Sequence, residues 1–448
     1  MVALKKALLL LVIFSLLIFS GFFNGGYGAG EAEDLFQLGY RDFKAGNYDR
    51  ARRHFQKLVN NFFDSPRRRD AFYFLDKIKL YSRQNDAPRI RVLLAAKISL
   101  RERSNVRTLV KTRTKSFQMG SGSEWRASVS DGQVLFRGSQ EFRADRIVLE
   151  SLGDRYLKFN GKKYRGSLEL KVYEGEIYVI NRLPMHYYLY GVIEKEIAPG
   201  WPIQTVKAQA VAARSFAIYR IKRNIEEPYD LGTTWLAQLY AGVEAETPQV
   251  IEAVDETRGE VLTYQGVVVP GFFHANSGGY IEKGEDVWEG TPTPYIIPGE
   301  DTWSIGVQHD RWSERISVSE INSSLHENGH PAIGPFDSLR VERRLESGRA
   351  AALSYITEAG SRYTIRADRF RMAVGPEKIR SAWFVNIEPR GRDILFEGRG
   401  WGHGIGMSQW GAWNMGEQGF DYQDIIKFYF RGAKLTANYG PGVVTSAP

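Results

Sequence analysis

An α+β fold is predicted for this chain, with mixed strands and helices forming a grooved domain behind a short all-α segment. Two observations predict it. Helical apolar spacing dominates residues 31–86, and from Pro88 onward short strands and helices mix without strict alternation. The chain has 448 residues, 43% of them hydrophobic, so it exceeds one typical domain and can build a real core.

Residues 1–30 open with Lys5 and Lys6, continue as an apolar run over 7–23 and end in small and polar residues. That is the layout of an export signal or of a membrane anchor if it stays uncleaved, so the protein is expected in a periplasm or cell-wall space. Residues 31–86 place Leu35, Leu38, Tyr40, Ala51, Phe55 and Leu58 at helical spacing around a Gly46-Asn47 turn, with another helix at 71–80. The segment resembles a tetratricopeptide unit; one such repeat cannot bury both faces, so it either docks on the main domain or binds a partner.

Strands are expected at 90–94, 128–136, 167–173 and 176–181, then helices from about 187 to 224. Strands return at 261–264 and 267–273, and helices at 318–328 and 423–430. The predicted domain therefore covers 88–435, followed by a C-terminal tail at 436–448. Cysteine is absent, which excludes disulfides and thiolate metal sites. The net charge of +8 suits an anionic surface or polymer, and no nucleic-acid motif accompanies it.

Residues 398–409 read Gly-Arg-Gly-Trp-Gly-His-Gly-Ile-Gly-Met-Ser-Gln. Alternating glycines imply backbone passing close to a neighbour, and the interleaved Trp401, His403, Ser408 and Gln409 suggest that this neighbour is partly a ligand. The alternative is a tight loop packed on its own core. Residues 188–198 read as a helix ending before Pro199, with Leu189, Val192, Ile193 and Glu196 on one face. A carboxyl on an apolar stripe is desolvated and stays protonated nearer neutrality, the requirement for a general acid. The competing reading is a helix-end Glu tilted into solvent or paired with an arginine. Pro202 starts the next helix, on which Lys207 and Arg214 share a face beside an alanine-rich stripe, aimed into a groove or at a carboxylate.

His326-Glu327-Asn328-Gly329-His330 carries the H-E-x-x-H string, but Gly329 and Pro331 stop a helix there, so no metal site is expected. The acidic group Glu282, Glu285, Asp286 and Glu289 lacks the spacing of a calcium loop and reads as a solvated loop or a groove wall. Trp401 and Trp410 suit either sugar stacking or core packing.

Ile180-Asn-Arg-Leu-Pro184, Tyr188-Leu-Tyr-Gly-Val-Ile-x-x-Glu196, Trp201-Pro, Lys207-Ala-Gln-Ala-Val-Ala-Ala-Arg214, Gln238-Leu-Tyr-Ala-Gly242, His274-x-x-Ser-Gly-Gly-Tyr280 and 398–411 occur in this order. In this the chain resembles the stage II sporulation protein D family of lytic transglycosylases and amidase enhancers, over roughly 88–435. The resemblance implies Glu196 as catalytic acid and base, and Lys207, Arg214, Tyr240, His274, Ser277, Tyr280, His403 and Gln409 as substrate-binding residues. It implies peptidoglycan glycan strands as substrate, no cofactor, and either cleavage to 1,6-anhydromuramic ends or non-catalytic enhancement of an amidase. An amidase or other wall machinery would then meet the N-terminal helices. Where family members often carry Met before the proline, this chain has Ile197-Ala198-Pro199. The zinc that some members hold through cysteines is not expected.

Overall fold

The computed structural model describes residues 28–44, 48–82, 88–153, 156–224, 226–233 and 238–437. Residues 1–27 of the export signal predicted over 1–30, the Gly46-Asn47 turn and residues 438–448 of the tail predicted over 436–448 lie outside the described residues; Gly28 to Gly30 already belong to the first helix. The chain forms two compact units, one of Met1–Ala87 with Leu152–Arg155, the other of Pro88–Ser151 and Tyr156–Pro448. Among the described residues no helix is long and apolar enough to cross a membrane.

The first unit contains helices α1 (Gly28–Lys44), α2 (Tyr48–Asn61) and α3 (Arg67–Ser82). Their apolar spacing buries Leu35, Phe36, Ala51, Phe55, Leu58, Val59 and Ala71 in one core. Gly39 lets α1 close on this core: a Cβ there would stand 2.7 Å from the Phe55 ring.

The second unit begins with antiparallel β-structure. A six-stranded sheet runs in the order Arg89–Lys97, Glu176–Pro184, Ser167–Tyr173, Arg146–Ser151, Thr108–Lys111, Ser116–Met119, beside a four-stranded sheet over 99–144. Alternating residues such as Trp125, Phe136, Ile147, Leu149, Leu170 and Val179 supply their common core.

The chain then enters α4 (Met185–Tyr190), α5 (Ile193–Glu196) and α6 (Ile203–Arg223). The single helix expected over 188–198 is in fact broken after Tyr190, and Gly191 there lies so close to Tyr240 that any Cβ would meet its ring at 2.6 Å. Turn bonds from Gly191 N–H to Tyr188 O and from Val192 N–H to Leu189 O tighten this break. Helix α6 is buried through Val206, Ala210, Ala213 and Ala217, the stripe of small residues expected from the sequence. Helix α7 (Pro248–Glu256) packs along it, and α8 (Gly284–Val287) follows. The strand expected over 267–273 is two pieces, Val267–Val268 and Phe273–His274, the second paired in parallel with Met407–Ser408.

Residues 311–399 form a lobe with its own core of Trp312, Ile316, Leu353, Phe370, Phe384 and Phe396. Two three-stranded antiparallel sheets carry it, with α9 (Val318–Glu327) and α10 (Ala367–Val374). Helix α9 stops at Glu327, with Gly329 at φ +76°, so His326 and His330 do not share a continuous helix. The last elements among the described residues are α11 (Gln409–Glu417), α12 (Tyr422–Tyr429) and the strand Lys434–Thr436.

Candidate functional site

The glycine-rich segment ties these parts together. Gly400, Gly402, Gly404 and Gly406 all take φ between +71° and +118°, at every second residue. A Cβ at Gly406 would lie 2.3 Å from Phe272 O, and one at Gly402 2.5 Å from the His274 Cβ. The close neighbours at Gly402 and Gly406 are thus protein atoms, as in the tight-loop alternative, while the side chains of Trp401 and His403 between these glycines face elsewhere. Gly406→Ala should destabilise the fold by about 2–3 kcal/mol through left-handed strain and this clash, read by denaturant unfolding.

Trp401 and His403 point instead to a cavity of about 660 Å³. Its lining joins Glu196 and Gln409 to Phe272, His274 and Trp288, and the lobe closes it with Leu345, Arg349, Arg366, Arg369, Arg371 and Met372. Of the expected site residues, the structure brings Glu196, His274, His403 and Gln409 together here. Asp286 and Glu289 also line it, so half of the acidic group forms a wall.

Glu196 is half-buried at the end of α5. Burial pushes its carboxyl up to about 6, against the opposing effect of the Leu239 N–H that it accepts at 2.9 Å. Its own carbonyl accepts Gln409 Nε2–H at 2.8 Å. Gln409 therefore pins the backbone under the acid, and Ser408 caps α11 by accepting Gly411 N–H. A carboxyl raised in the folded state is neutral and harmless below its unfolded value, then costs stability as pH rises through about 6. Glu196→Gln should therefore stabilise the protein by about 1–2 kcal/mol near pH 8 and by nothing near pH 4, measured as unfolding free energy at both.

Both histidines are neutral. His403 Nδ1 accepts Ile405 N–H at 3.0 Å, which leaves the proton on Nε2, donated to Phe273 O at 3.0 Å. Burial holds its pKa down to about 3. His274 lies 3.2 Å from Ile405 O through Nδ1, and burial, then His403 and Arg349, keep it well below the ordinary imidazole range. Among the described residues no group of three or more His, Asp or Glu is placed to hold a metal ion.

The other expected residues lie outside the lining of the cavity. Lys207 and Arg214 do share a face, but it meets the C-terminal end of α7 and does not line the cavity. Lys207 pairs with Glu256 at 2.8 Å, and the buried Arg214 donates to the carbonyls of Glu260 and Val254. Tyr240 is buried beneath Gly191, its hydroxyl donating to Asn181 at 2.7 Å. Ser277 donates to the buried Asp301, which also accepts from Ser304 and Tyr429. The carbonyls of Tyr280 and Ser277 both accept from Arg349, whose guanidinium pairs with Glu282 in full burial. The lobe's arginines carried no motif, and only the tertiary fold brings them to the cavity.

Comparison with known proteins adds a separate line. Residues 173–264 match the family model described as Stage II sporulation protein, and 300–406 match a Domain of unknown function (DUF8618). An uncharacterized protein of Brachyspira hyodysenteriae is 34% identical over 277 residues, 62% of this chain and 73% of that protein. The Amidase enhancer of Bacillus subtilis is 26% identical, over 56% of this chain and 40% of its own length. The Stage II sporulation protein D of Bacillus subtilis is 25% identical, over 60% of this chain and 79% of that protein.

Proposed function

The chain belongs to the stage II sporulation protein D family, and from that premise we propose that it is an exported lytic transglycosylase acting on peptidoglycan glycan in the cell envelope. One observation carries the reading: Glu196 stands at the wall of a large cavity with its carboxyl raised to about 6 by burial and its backbone pinned by Gln409. A group so poised is protonated often enough at neutral pH to donate, and basic enough afterwards to accept.

In the proposed reaction Glu196 gives its proton to the glycosidic oxygen beyond N-acetylmuramic acid as the C1–O bond breaks. The muramic 6-hydroxyl then attacks the oxocarbenium-like C1 and returns its proton to the Glu196 carboxylate. The nucleophile is intramolecular, so no second carboxylate is needed to activate water. The product carries a 1,6-anhydro end.

Purified glycan strands stripped of stem peptides are expected to shorten in the presence of the protein, with anhydro ends seen by mass spectrometry. The relative named Amidase enhancer favours a second reading, in which the chain binds wall and stimulates an amidase, with the N-terminal helices as a docking element. Strands of unchanged length, together with faster stem-peptide release when an amidase is added, would select that reading.

A further inference from the structure

Four rings continue from the cavity along the second unit. Trp401, a cavity wall, meets His309 at 4.6 Å between centroids; His309 meets Trp410 at 6.1 Å, and Trp410 meets Trp413 at 5.3 Å. All four are half-buried, so each offers part of its surface to solvent. We propose that this row is an extended saccharide subsite, which holds the sugars of a glycan strand beyond those seated in the cavity. The proposal rests on the reading of the cavity as a glycan site and adds where the strand leaves it.

Three features argue for a binding surface over leftover core packing. The rings are rigid before any ligand arrives: successive contacts are edge-on, at 89°, 77° and 65°, and Trp201 props Trp410 from the buried side at 4.9 Å. Fixed aromatic side chains bind at little entropic cost. His309 is held at φ +67°, a conformation few non-glycine residues take, which sets its ring upright on Trp401. Finally, the half-buried Arg380 places its guanidinium over Trp401 at 5.1 Å. A donor beside an aromatic face is what a pyranose requires, since its C–H face packs on the ring while its rim hydroxyls accept and donate.

The row is also mechanically coupled to the acid. Trp410 and Trp413 lie on α11, the helix whose first residue, Gln409, holds the Glu196 carbonyl. Trp410 N–H donates to Ala275 O, one residue from His274. A strand seated on the row thus engages the element that positions Glu196. The centroid spacing is comparable to the length of one sugar, so the row suits several consecutive residues of a strand.

The test uses Glu196→Gln as background, so that strands are bound and not cut, and stem-stripped glycan separated by length as probe. Adding Trp413→Ala should weaken binding of long strands by roughly tenfold in calorimetry, leave a tetrasaccharide unaffected, and be largely restored by Trp413→Phe. Equal affinity for long strands with and without Trp413 would overturn the subsite. So would equal loss for long and short probes. Loss of cleavage by the wild-type protein would count against the transglycosylase reading only, because these assays read binding.

Discussion

Glu196→Gln is expected to lower the rate of anhydro-end formation by about 10²–10⁴-fold while leaving strand binding intact. Glutamine keeps the size of the side chain and can still accept the Leu239 N–H through its amide oxygen, so the site should not collapse. What it loses is the transferable proton. The same substitution removes a carboxyl whose ionisation is penalised by burial, so the inactive protein should also be the more stable one at alkaline pH. Loss of activity with lowered stability at all pH values would instead point to a structural role for Glu196.

Arg349 should produce the largest effect on stability. Its guanidinium and the Glu282 carboxylate are 2% and 3% exposed, so they have almost no water to fall back on. Arg349 reaches from the lobe to the carbonyls of Ser277 and Tyr280, beside the Gly404 turn, where a Cβ would meet its guanidinium at 2.6 Å. Arg349→Met leaves Glu282 buried without a cation and two carbonyls without a donor, and should cost about 3–5 kcal/mol in denaturant unfolding. Glu282→Gln added to it should recover part of the loss, because the stranded charge is gone. If the double variant is no better than the single one, the missing carbonyl contacts outweigh the charge.

The elements that local pattern determines were legible in the sequence. The apolar spacing of α1–α3, the strands expected at 167–173 and 176–181, and the helix stop at Asn328-Gly329 each follow from local chemistry. The close approach of Tyr240 to Gly191 was not legible, since Tyr240 is distant in the chain. The desolvation of Glu196 follows from its place on an apolar face, although the helix carrying it is shorter than the pattern suggests. Lys207 and Arg214 show the limit of facial reasoning. Their shared face was correct, but periodicity cannot say what a face meets, and here it meets the carbonyl end of α7. The cavity wall from Arg349 to Arg371 was invisible for the same reason: it exists only once the lobe folds back against Phe272–His274 and the glycine turns.

The central claim is that Glu196 works as a protonated acid, and the pH dependence of anhydro-end formation tests it most directly. With the carboxyl titrating at about 6, the rate under saturating strand should be flat below that value and fall about tenfold per pH unit above it. The Glu196→Gln protein should show no such limb. A rate unchanged between about pH 5 and pH 8, or a substantial residual rate in the variant with the same pH profile, would contradict the account.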